Sequence, residues 1–395
     1  MKLIRNKVTP GLVLLFISIL LITLFFNSSS LTGAVEITGL DFIGQAVLPT
    51  GFKFQGTPFG GLSGITYDER NQLYYSISDD RSQKAPARFY TLKINLSKGK
   101  LTDNSLSPVA VTTLQNKNGQ AFANGKIDPE GIALFSQNSV FISSEGDARQ
   151  LVNPFIKEFS LNSGKELTTL PVPKKFLPDK NQKKGIRNNL AFETLTITPD
   201  KKYLFSATEN ALIQDGSDAK PNQGTNCRIL QYNLATKELE KEFLYPTTSV
   251  KAFPINVSGR FASGLPDLVA LDNQGSFISI ERTFTGVGFN IALFKVNLAD
   301  ADDIHDIDSL SASDLSKIKP VKKELLLDLR KLSVALDNIE GLTLGAKLPD
   351  GKRSLILVSD NNFNPLQRNQ LLAFRLQTES SLMRFIRKIV PFLDK

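Results

Sequence analysis

This 395-residue chain contains five repeated units, and acidic residues recur at two positions in each of them, except that the first unit has Ser63 at the first position. A short alternating segment carries the first position near its start, and the next segment ends in the second position 14 to 20 residues later. The first positions are Ser63, Glu130, Glu193, Asp267 and Glu340, and the second are Asp79 with Asp80, Glu145 with Asp147, Glu209, Glu281 and Asp360. Grouped carboxylates can hold a hard cation or accept a proton from water.

The units that carry these acids also predict the architecture. They begin GLSGITYD, DPEGIAL, FETLTITPD, LPDLVAL and NIEGLTL, at a period of about 60–75 residues. Short strands and polar turns repeated at this period are typical of a β-propeller. We therefore predict an all-β fold, a single propeller with five visible blades. Six blades remain an alternative because the stretches between units are long enough to hold an irregular one.

The fifth unit lacks a fourth strand of its own. Each of the first four units is followed by a candidate outer strand, at 108–114, 166–172, 238–245 and 322–329. The early segment Glu36–Leu48 alternates like a strand and can pair into the last blade. Closure of this kind leaves no open sheet edge, so we predict that the N-terminal strand closes the ring.

The geometry of a propeller blade predicts where the acids lie. The innermost strand runs along the channel axis and the second strand returns antiparallel to it, so the start of one and the end of the other share a face. Two strands of five or six residues and a turn account for the intervals. We therefore expect the acids to surround one mouth of the central channel.

Such a ring of carboxylates requires compensation, because neighbouring like charges force some groups to protonate or to recruit cations. Arg81, Arg149 and Arg282 closely follow the second positions, and Arg88 lies just beyond the first of them. Oxygen ligands without histidine or cysteine suit calcium better than zinc or copper. The alternative is purely structural: the acids cap strands and pair with backbone amides and arginines.

Several classes of function are poorly supported. His305 is the only histidine and Cys227 the only cysteine, and no nucleophile elbow, phosphate-binding loop or dinucleotide fingerprint is present. The net charge of +8 is scattered, which argues against nucleic-acid binding. If the chain is an enzyme, a metal-held or carboxylate-activated water that attacks an ester is the chemistry that these residues allow.

The two ends of the chain differ from the repeats. Lys2, Arg5 and Lys7 precede an apolar run at 12–26, followed by small and polar residues up to Ala34. This pattern predicts a signal peptide or an uncleaved membrane anchor over 1–34, and so an exported protein, periplasmic or extracellular. The propeller then occupies 35–378. A basic amphipathic tail, 379–395, is expected to pack on the propeller or to contact a membrane surface.

The ordered set GLSGITYD, SISDDRSQKAPARFYTL, DPEGIAL, SSEGD, FETLTITPD, SATEN, NIEGLTL and LVSDNN resembles the phytase-like domain family, whose members are described as having esterase-like activity of phytase. The resemblance runs from about Phe59 to Leu376. It implies a bacterial exported β-propeller. By analogy with β-propeller phytases it implies a calcium-dependent phosphoester hydrolase, with carboxylates holding Ca²⁺ and basic residues holding phosphate.

The leading prediction is therefore an exported, monomeric hydrolase that acts on a small phosphoester or other ester. Its metal-binding residues would be Asp79, Glu130, Glu145, Asp147, Glu193, Glu209, Asp267, Glu281, Glu340 and Asp360. Its catalytic residues would be Asp79, Asp80, Glu130, Glu193 and Glu340, and its substrate-binding residues Arg81, Arg88, Arg149 and Arg282. The alternatives are a non-catalytic binding module of the cell envelope and a propeller that handles lactones or sugars with one central metal.

Overall fold

The computed structural model describes residues 36–251 and 260–379, which form five four-stranded antiparallel sheets and one two-stranded ribbon. The chain opens with β1 (Glu36–Leu48), and the ribbon follows as β2 (Lys53–Phe54) and β3 (Thr57–Pro58). Each sheet is one blade. Polar turns separate the strands of a blade. Along a strand, the residues either alternate between buried and more exposed positions or are all buried, as in SVFISS.

The first four blades each use four consecutive strands. The first blade contains β4 (Leu62–Asp68), β5 (Leu73–Ser78), β6 (Arg88–Ile94) and β7 (Leu106–Thr113). The second contains β8 (Pro129–Leu134), β9 (Ser139–Ser144), β10 (Phe155–Ser160) and β11 (Glu166–Leu170). The third contains β12 (Phe192–Ile197), β13 (Tyr203–Thr208), β14 (Asn226–Asn233) and β15 (Glu238–Pro246). The fourth contains β16 (Ala262–Ala270), β17 (Ser276–Phe284), β18 (Phe289–Asn297) and β19 (Lys322–Asp328).

The fifth blade joins the two ends of the described chain. It contains β20 (Ile339–Lys347), β21 (Arg353–Ser359) and β22 (Asn369–Glu379), with β1 paired to β22 as its outermost strand. The register runs from Glu36 opposite Glu379 to Leu48 opposite Asn369. In the structure, β1 therefore occupies the position in the last blade that the sequence predicts for the N-terminal strand.

The innermost strands β4, β8, β12, β16 and β20 contact one another in that order, and β20 returns to β4. The predicted five-bladed propeller is confirmed, and the six-bladed alternative is wrong. The stretches between units that could have hidden a sixth blade are loops within the described residues.

Apolar side chains fill the spaces between blades. A cluster lies at each of the five junctions between neighbouring blades. Between the fifth and first blades, for example, Val358 packs with Leu62 and Ile65. Because each sheet buries both faces against its neighbours, the blades form one continuous core without a disulfide. Cys227 is buried in the cluster between the third and fourth blades.

The connections contain little regular structure. The segment 300–319, for example, contains a three-residue 3-10 turn, Leu315–Lys317, as its one regular element. The predicted leader, 1–34, lies outside the described residues, as does the predicted tail except for Glu379. Over 36–251 and 260–379, no helix is both long and apolar enough to cross a membrane.

Candidate metal and hydrolytic site at the acidic mouth

A β-bulge near the start of every innermost strand positions the first acids. Each register shift takes one or two residues out of the ladder, which redirects their side chains. In the second, third and fifth blades the bulge contains Glu130, Glu193 and Glu340. In the first blade it contains Ser63, whose hydroxyl donates a 2.8 Å hydrogen bond to the carbonyl of Glu130.

Glycines beside these bulges allow the innermost strands to approach closely. A Cβ on Gly131 would lie 2.7 Å from the carbonyl oxygen of Glu193, and one on Gly341 would lie 2.6 Å from that of Ser63. Real side chains do not tolerate such distances. In each EG pair of the sequence, the glutamate therefore points into the channel, and the glycine leaves room for the backbone of the neighbouring innermost strand.

Eight carboxylates meet at this end of the channel, and we call them the acidic cluster. Its members are Asp79, Asp128, Glu130, Glu145, Glu193, Glu209, Glu340 and Asp360. Two triads stand out, Asp79–Asp128–Glu130 and Glu130–Glu145–Glu193, in each of which one oxygen per residue lies within 4.8 Å of the others. Glu130 belongs to both triads and is therefore the centre of the cluster.

Burial is the largest cause of the raised pKa values in this cluster. It raises the pKa of Asp128 to about 7, that of Glu145 to about 8 and that of Glu340 to about 7. Burial and then repulsion by neighbouring carboxylates raise the pKa values of Asp79 and Glu193 well above the usual range. Asp79 shares a hydrogen bond with Asp128, as Glu193 does with Glu145, so each pair needs one proton.

Two arginines offset part of the charge. Arg81 pairs with Asp128 through Nε at 2.7 Å and donates to Asn189 at 2.8 Å. Arg282 donates to Glu209 at 2.7 Å and lies 3.3 Å from Glu340. Their side chains are 22% and 13% exposed. Two guanidinium groups among eight carboxylates leave six negative charges that protons or cations must compensate.

Glu130 is the least compensated member of the cluster. Its side chain is buried, with 6% of the residue exposed. Within 36–251 and 260–379 its carboxylate has no hydrogen-bond donor, and its pKa is raised well above the usual range by burial and then by Asp79 and Glu193. A buried carboxylate without a donor is costly unless a cation satisfies it.

Two predicted residues form a buried pair of their own beside the cluster. Asp80 accepts hydrogen bonds from the backbone N–H groups of residues 83–85 and pairs with Arg88 at 2.7 Å. Arg88 is completely buried and also donates to the carbonyl of Pro58. The Asp80–Arg88 pair thus holds the loop between these two residues in place, and neither side chain belongs to the acidic cluster.

Glu281 is also placed outside the cluster. It accepts hydrogen bonds from the Tyr245 hydroxyl at 3.0 Å and the Thr248 N–H at 2.8 Å, and it pairs with Lys323. The neighbouring residue Arg282 is the one that reaches the channel. Successive side chains of a strand point to opposite faces, so this one-residue difference decides which of the two meets the cluster.

Asp267 lies on an innermost strand but serves the backbone. In the fourth blade the bulge contains Leu265 and Pro266, and Asp267 has rejoined the ladder opposite Ile280. Its carboxylate accepts N–H groups from Leu268 and Leu342, both at 2.9 Å, and so ties the fourth blade to the fifth. This is the structural role that the sequence left open for the acids.

The remaining predicted residues lie at the edge. Asp147 accepts the N–H groups of Arg149 and Gln150 at 2.9 and 2.8 Å and lies 4.0 Å from Arg81. Arg149 is exposed. Asp147 therefore lies near Arg81 but belongs to neither triad.

Sequence reasoning missed Asp128 and Asn338. They occupy the same place in their repeats, two residues before Glu130 and Glu340. Asp128 belongs to a triad, and Asn338 donates to Glu340 at 2.9 Å while accepting from Arg282 at 2.8 Å. The motifs DPEG and NIEG contained this information, because both place a polar residue at that position.

The family model described as phytase-like, esterase-like activity of phytase, matches residues 57–363. The chain belongs to the phytase-like family. The match covers all five innermost strands and every member of the acidic cluster. No curated protein matches this phytase-like chain in sequence.

Three solved structures show a distant resemblance to the chain. A thermostable family-43 glycoside hydrolase is 11% identical, with 85% of this chain and 96% of that one covered and a TM-score of 0.41. An endo-1,4-beta-xylanase from Bacteroides thetaiotaomicron is also 11% identical, with 79% and 90% covered and a TM-score of 0.41. The Dos1 propeller is 8% identical, with 81% and 69% covered and a TM-score of 0.33.

Proposed function

We propose that this phytase-like chain is an exported hydrolase of a phosphoester or other ester, with calcium held in the acidic cluster. The observation that carries the proposal is Glu130, a buried carboxylate without a hydrogen-bond donor that is shared by two triads. The surrounding ligands are all carboxylate oxygens, the donor set that calcium prefers.

The residues that would hold calcium are those of the two triads: Asp79, Asp128, Glu130, Glu145 and Glu193. A bound calcium ion would offset two of the negative charges of these carboxylates and lower the pKa of a coordinated water. The protons that Asp79 and Glu193 share with their partners would be displaced as a consequence.

The half-buried residues Asp79 and Glu193 are the cluster members most open to the channel mouth. We assign Glu193 as the base that takes a proton from the attacking water. The water oxygen forms the new bond to phosphorus or to the acyl carbon, the bond from that atom to the alcohol oxygen breaks, and the alcohol leaves with the proton that Glu193 took from the water. Arg81 and Arg282 would stabilise the negative charge that develops on the ester oxygens, because guanidinium groups suit phosphate and carboxylate oxygens.

A binding module without turnover is the second candidate. Six of the eight cluster carboxylates are buried, and only Asp79 and Glu193 are half-buried, which limits how closely a substrate can approach the rest. This module would bind calcium and a ligand of the cell envelope without hydrolysis. Export itself is proposed from the sequence of residues 1–34, and the monomeric state from the closed ring.

The test is thermal unfolding of the full chain in chelator, calcium and magnesium, with parallel assays on an aryl phosphate, an aryl acetate and phytate. Saturation about a hundredfold above Kd should add about 2.7 kcal/mol of stability. Glu130→Gln should abolish the calcium-specific shift, and Glu193→Gln should lower kcat/KM by about a hundredfold or more, the usual contribution of a general base. Glu281→Gln is the matched control and should retain the calcium shift.

The outcomes separate the candidates. A calcium shift with hydrolysis supports the hydrolase, and a shift without turnover on any substrate supports the binding module. If wild-type protein shows no calcium shift, the metal proposal fails. If Glu130→Gln and Glu281→Gln lose the shift equally, the assignment of the two triads fails.

A further inference from the structure

The end of the channel opposite the acidic cluster contains a cavity of about 520 Å³. Residues toward the C-terminal ends of all five innermost strands line it, among them Tyr67, Leu134, Ile197, Ala270 and Leu344. Small-molecule sites have volumes of about 300–1,000 Å³ and mostly apolar walls with a few polar groups. This cavity therefore has the size and the lining of a ligand pocket.

The deeper part of the cavity is apolar. Ile132, Leu195 and Leu342 line it and are buried, and each lies two residues after a glutamate of the acidic cluster. The hydroxyl oxygens of Thr66 and Thr196, also in the lining, accept backbone N–H groups of the neighbouring innermost strands at 3.1 and 3.0 Å. A ligand at this depth would therefore meet mainly hydrocarbon, which favours an alkyl chain.

Three charged side chains complete the lining, those of Glu69, Lys201 and Arg353. Arg353 Nη1 lies 3.3 Å from Glu69 Oε2, so the charges of these two residues offset each other. Lys201 Nζ donates a 2.7 Å hydrogen bond to the carbonyl of Leu134. Over 36–251 and 260–379, Lys201 forms no ion pair, and it is therefore the uncompensated charge of the lining.

The surroundings of Lys201 favour an anionic partner. Lys201 is exposed, yet the apolar atoms beside it keep water from its ammonium group and lower its pKa, against a smaller opposing effect of Asp68. Asp68 does not line the cavity, and its carboxylate already accepts the N–H groups of Arg70 and Asn71 at 3.0 and 3.1 Å. An anion in the cavity would give this ammonium group the partner that it lacks.

We propose that this cavity binds a free fatty acid, with the alkyl chain in the apolar depth and the carboxylate beside Lys201. Within the described residues the Nε atom of Arg353 is buried without a hydrogen-bond acceptor, so the lining has a second unused donor. Because Glu69 leaves the lining with one net positive charge, a carboxylate matches it better than a dianionic phosphate monoester does. This inference does not rest on hydrolysis or on calcium.

Isothermal titration calorimetry of the full chain with dodecanoate tests the proposal, in chelator and below the concentration at which dodecanoate forms micelles. Wild-type protein should bind one dodecanoate per chain. Lys201→Gln should weaken this binding by about tenfold, because it removes a charge-assisted hydrogen bond. Lys202→Gln is the matched control and should leave the affinity unchanged, since Lys202 is the adjacent exposed lysine and does not line the cavity.

Dodecanol separates the contribution of the chain from that of the head group. This uncharged ligand should bind wild-type protein, Lys201→Gln and Lys202→Gln with the same affinity. Ile197→Asp places a carboxylate in the lining and should weaken the binding of both ligands, that of dodecanoate more. Cooperative unfolding, followed by circular dichroism, would show that Ile197→Asp is folded, and the comparison of the two lysine variants does not depend on it.

Three results would overturn the proposal. They are an absence of dodecanoate binding, binding that does not saturate at one ligand per chain, and equal weakening in Lys201→Gln and Lys202→Gln. Binding of anionic phospholipid vesicles without binding of monomeric dodecanoate would assign this end of the channel to a membrane surface and would overturn it as well.

Discussion

The two mouths of the channel are built from the same five strands, yet they have opposite chemistry. At the acidic mouth each strand begins with a bulge, and three of the bulges direct glutamates inward. At the opposite mouth, which we call the apolar mouth, the same strands end in residues such as Leu134 and Ile197. The difference shows that position along the innermost strand, more than blade identity, decides what a residue does in this fold.

The two ends also differ in what holds them together. Apolar burial stabilises the apolar mouth without further partners. At the acidic mouth, burial opposes the charges, which are offset by two arginines, the Asn338 amide and backbone N–H groups such as that of Asn362. Stability at the apolar mouth should therefore depend little on pH, whereas stability at the acidic mouth should depend on protons and cations.

The largest effect is expected from shortening a buried side chain at the apolar mouth. Leu342 is 2% exposed, so Leu342→Ala should lower the free energy of unfolding by about 2–5 kcal/mol through lost burial and an enlarged cavity. Chemical denaturation would measure it, with exposed Leu325→Ala as the control, expected to change stability by less than about 0.5 kcal/mol. A calcium shift of unchanged size in Leu342→Ala would show that the two mouths are independent, and its loss would contradict this.

A smaller effect is expected from crowding the bulge at the acidic mouth. Gly131→Ala places a Cβ within 2.7 Å of the Glu193 carbonyl and the Ser143 hydroxyl, so it should destabilise the protein by about 1–3 kcal/mol. Gly288→Ala, which meets no atom within 4 Å, is the matched control and should be almost neutral. Equal losses of stability in the two variants would mean that close approach of the innermost strands is not the reason for glycine.

The fold was largely predictable because burial and repetition act at the scale of whole strands. The outer strands at 166–172, 238–245 and 322–329 were predicted to within two residues, and β1 was placed in the fifth blade. The site was less predictable because it depends on single residues. A bulge at Leu265 and Pro266 displaces Asp267, and strand alternation exchanges Glu281 for Arg282; neither is visible in spacing alone.

A further effect concerns protons in the absence of calcium. Burial raises the pKa values of Asp128, Glu145 and Glu340 from the usual 3.8–4.5 to about 7–8, so the folded state binds more protons than the unfolded state between these limits. Stability in chelator should therefore fall as pH rises from about 4.5 to 8. Melting temperatures across this range would measure the effect.

Glu130→Gln sharpens the same comparison. Removal of a buried charge that has no hydrogen-bond donor should make the melting curve in chelator less dependent on pH. The Leu342→Ala variant should retain the full dependence, since it alters no titrating group. If Glu130→Gln leaves the pH dependence unchanged, repulsion within the acidic cluster does not govern stability at this mouth.

The pairing of β1 with β22 has a mechanical consequence. The two strands are antiparallel, and the two ends of the described chain, Glu36 and Glu379, are opposite each other at one end of the pair. A force applied between Glu36 and Glu379 would load the hydrogen bonds that join β1 to β22 one after another, starting next to these two residues. The propeller should therefore yield first at its fifth blade and at low force, while the other four blades remain closed.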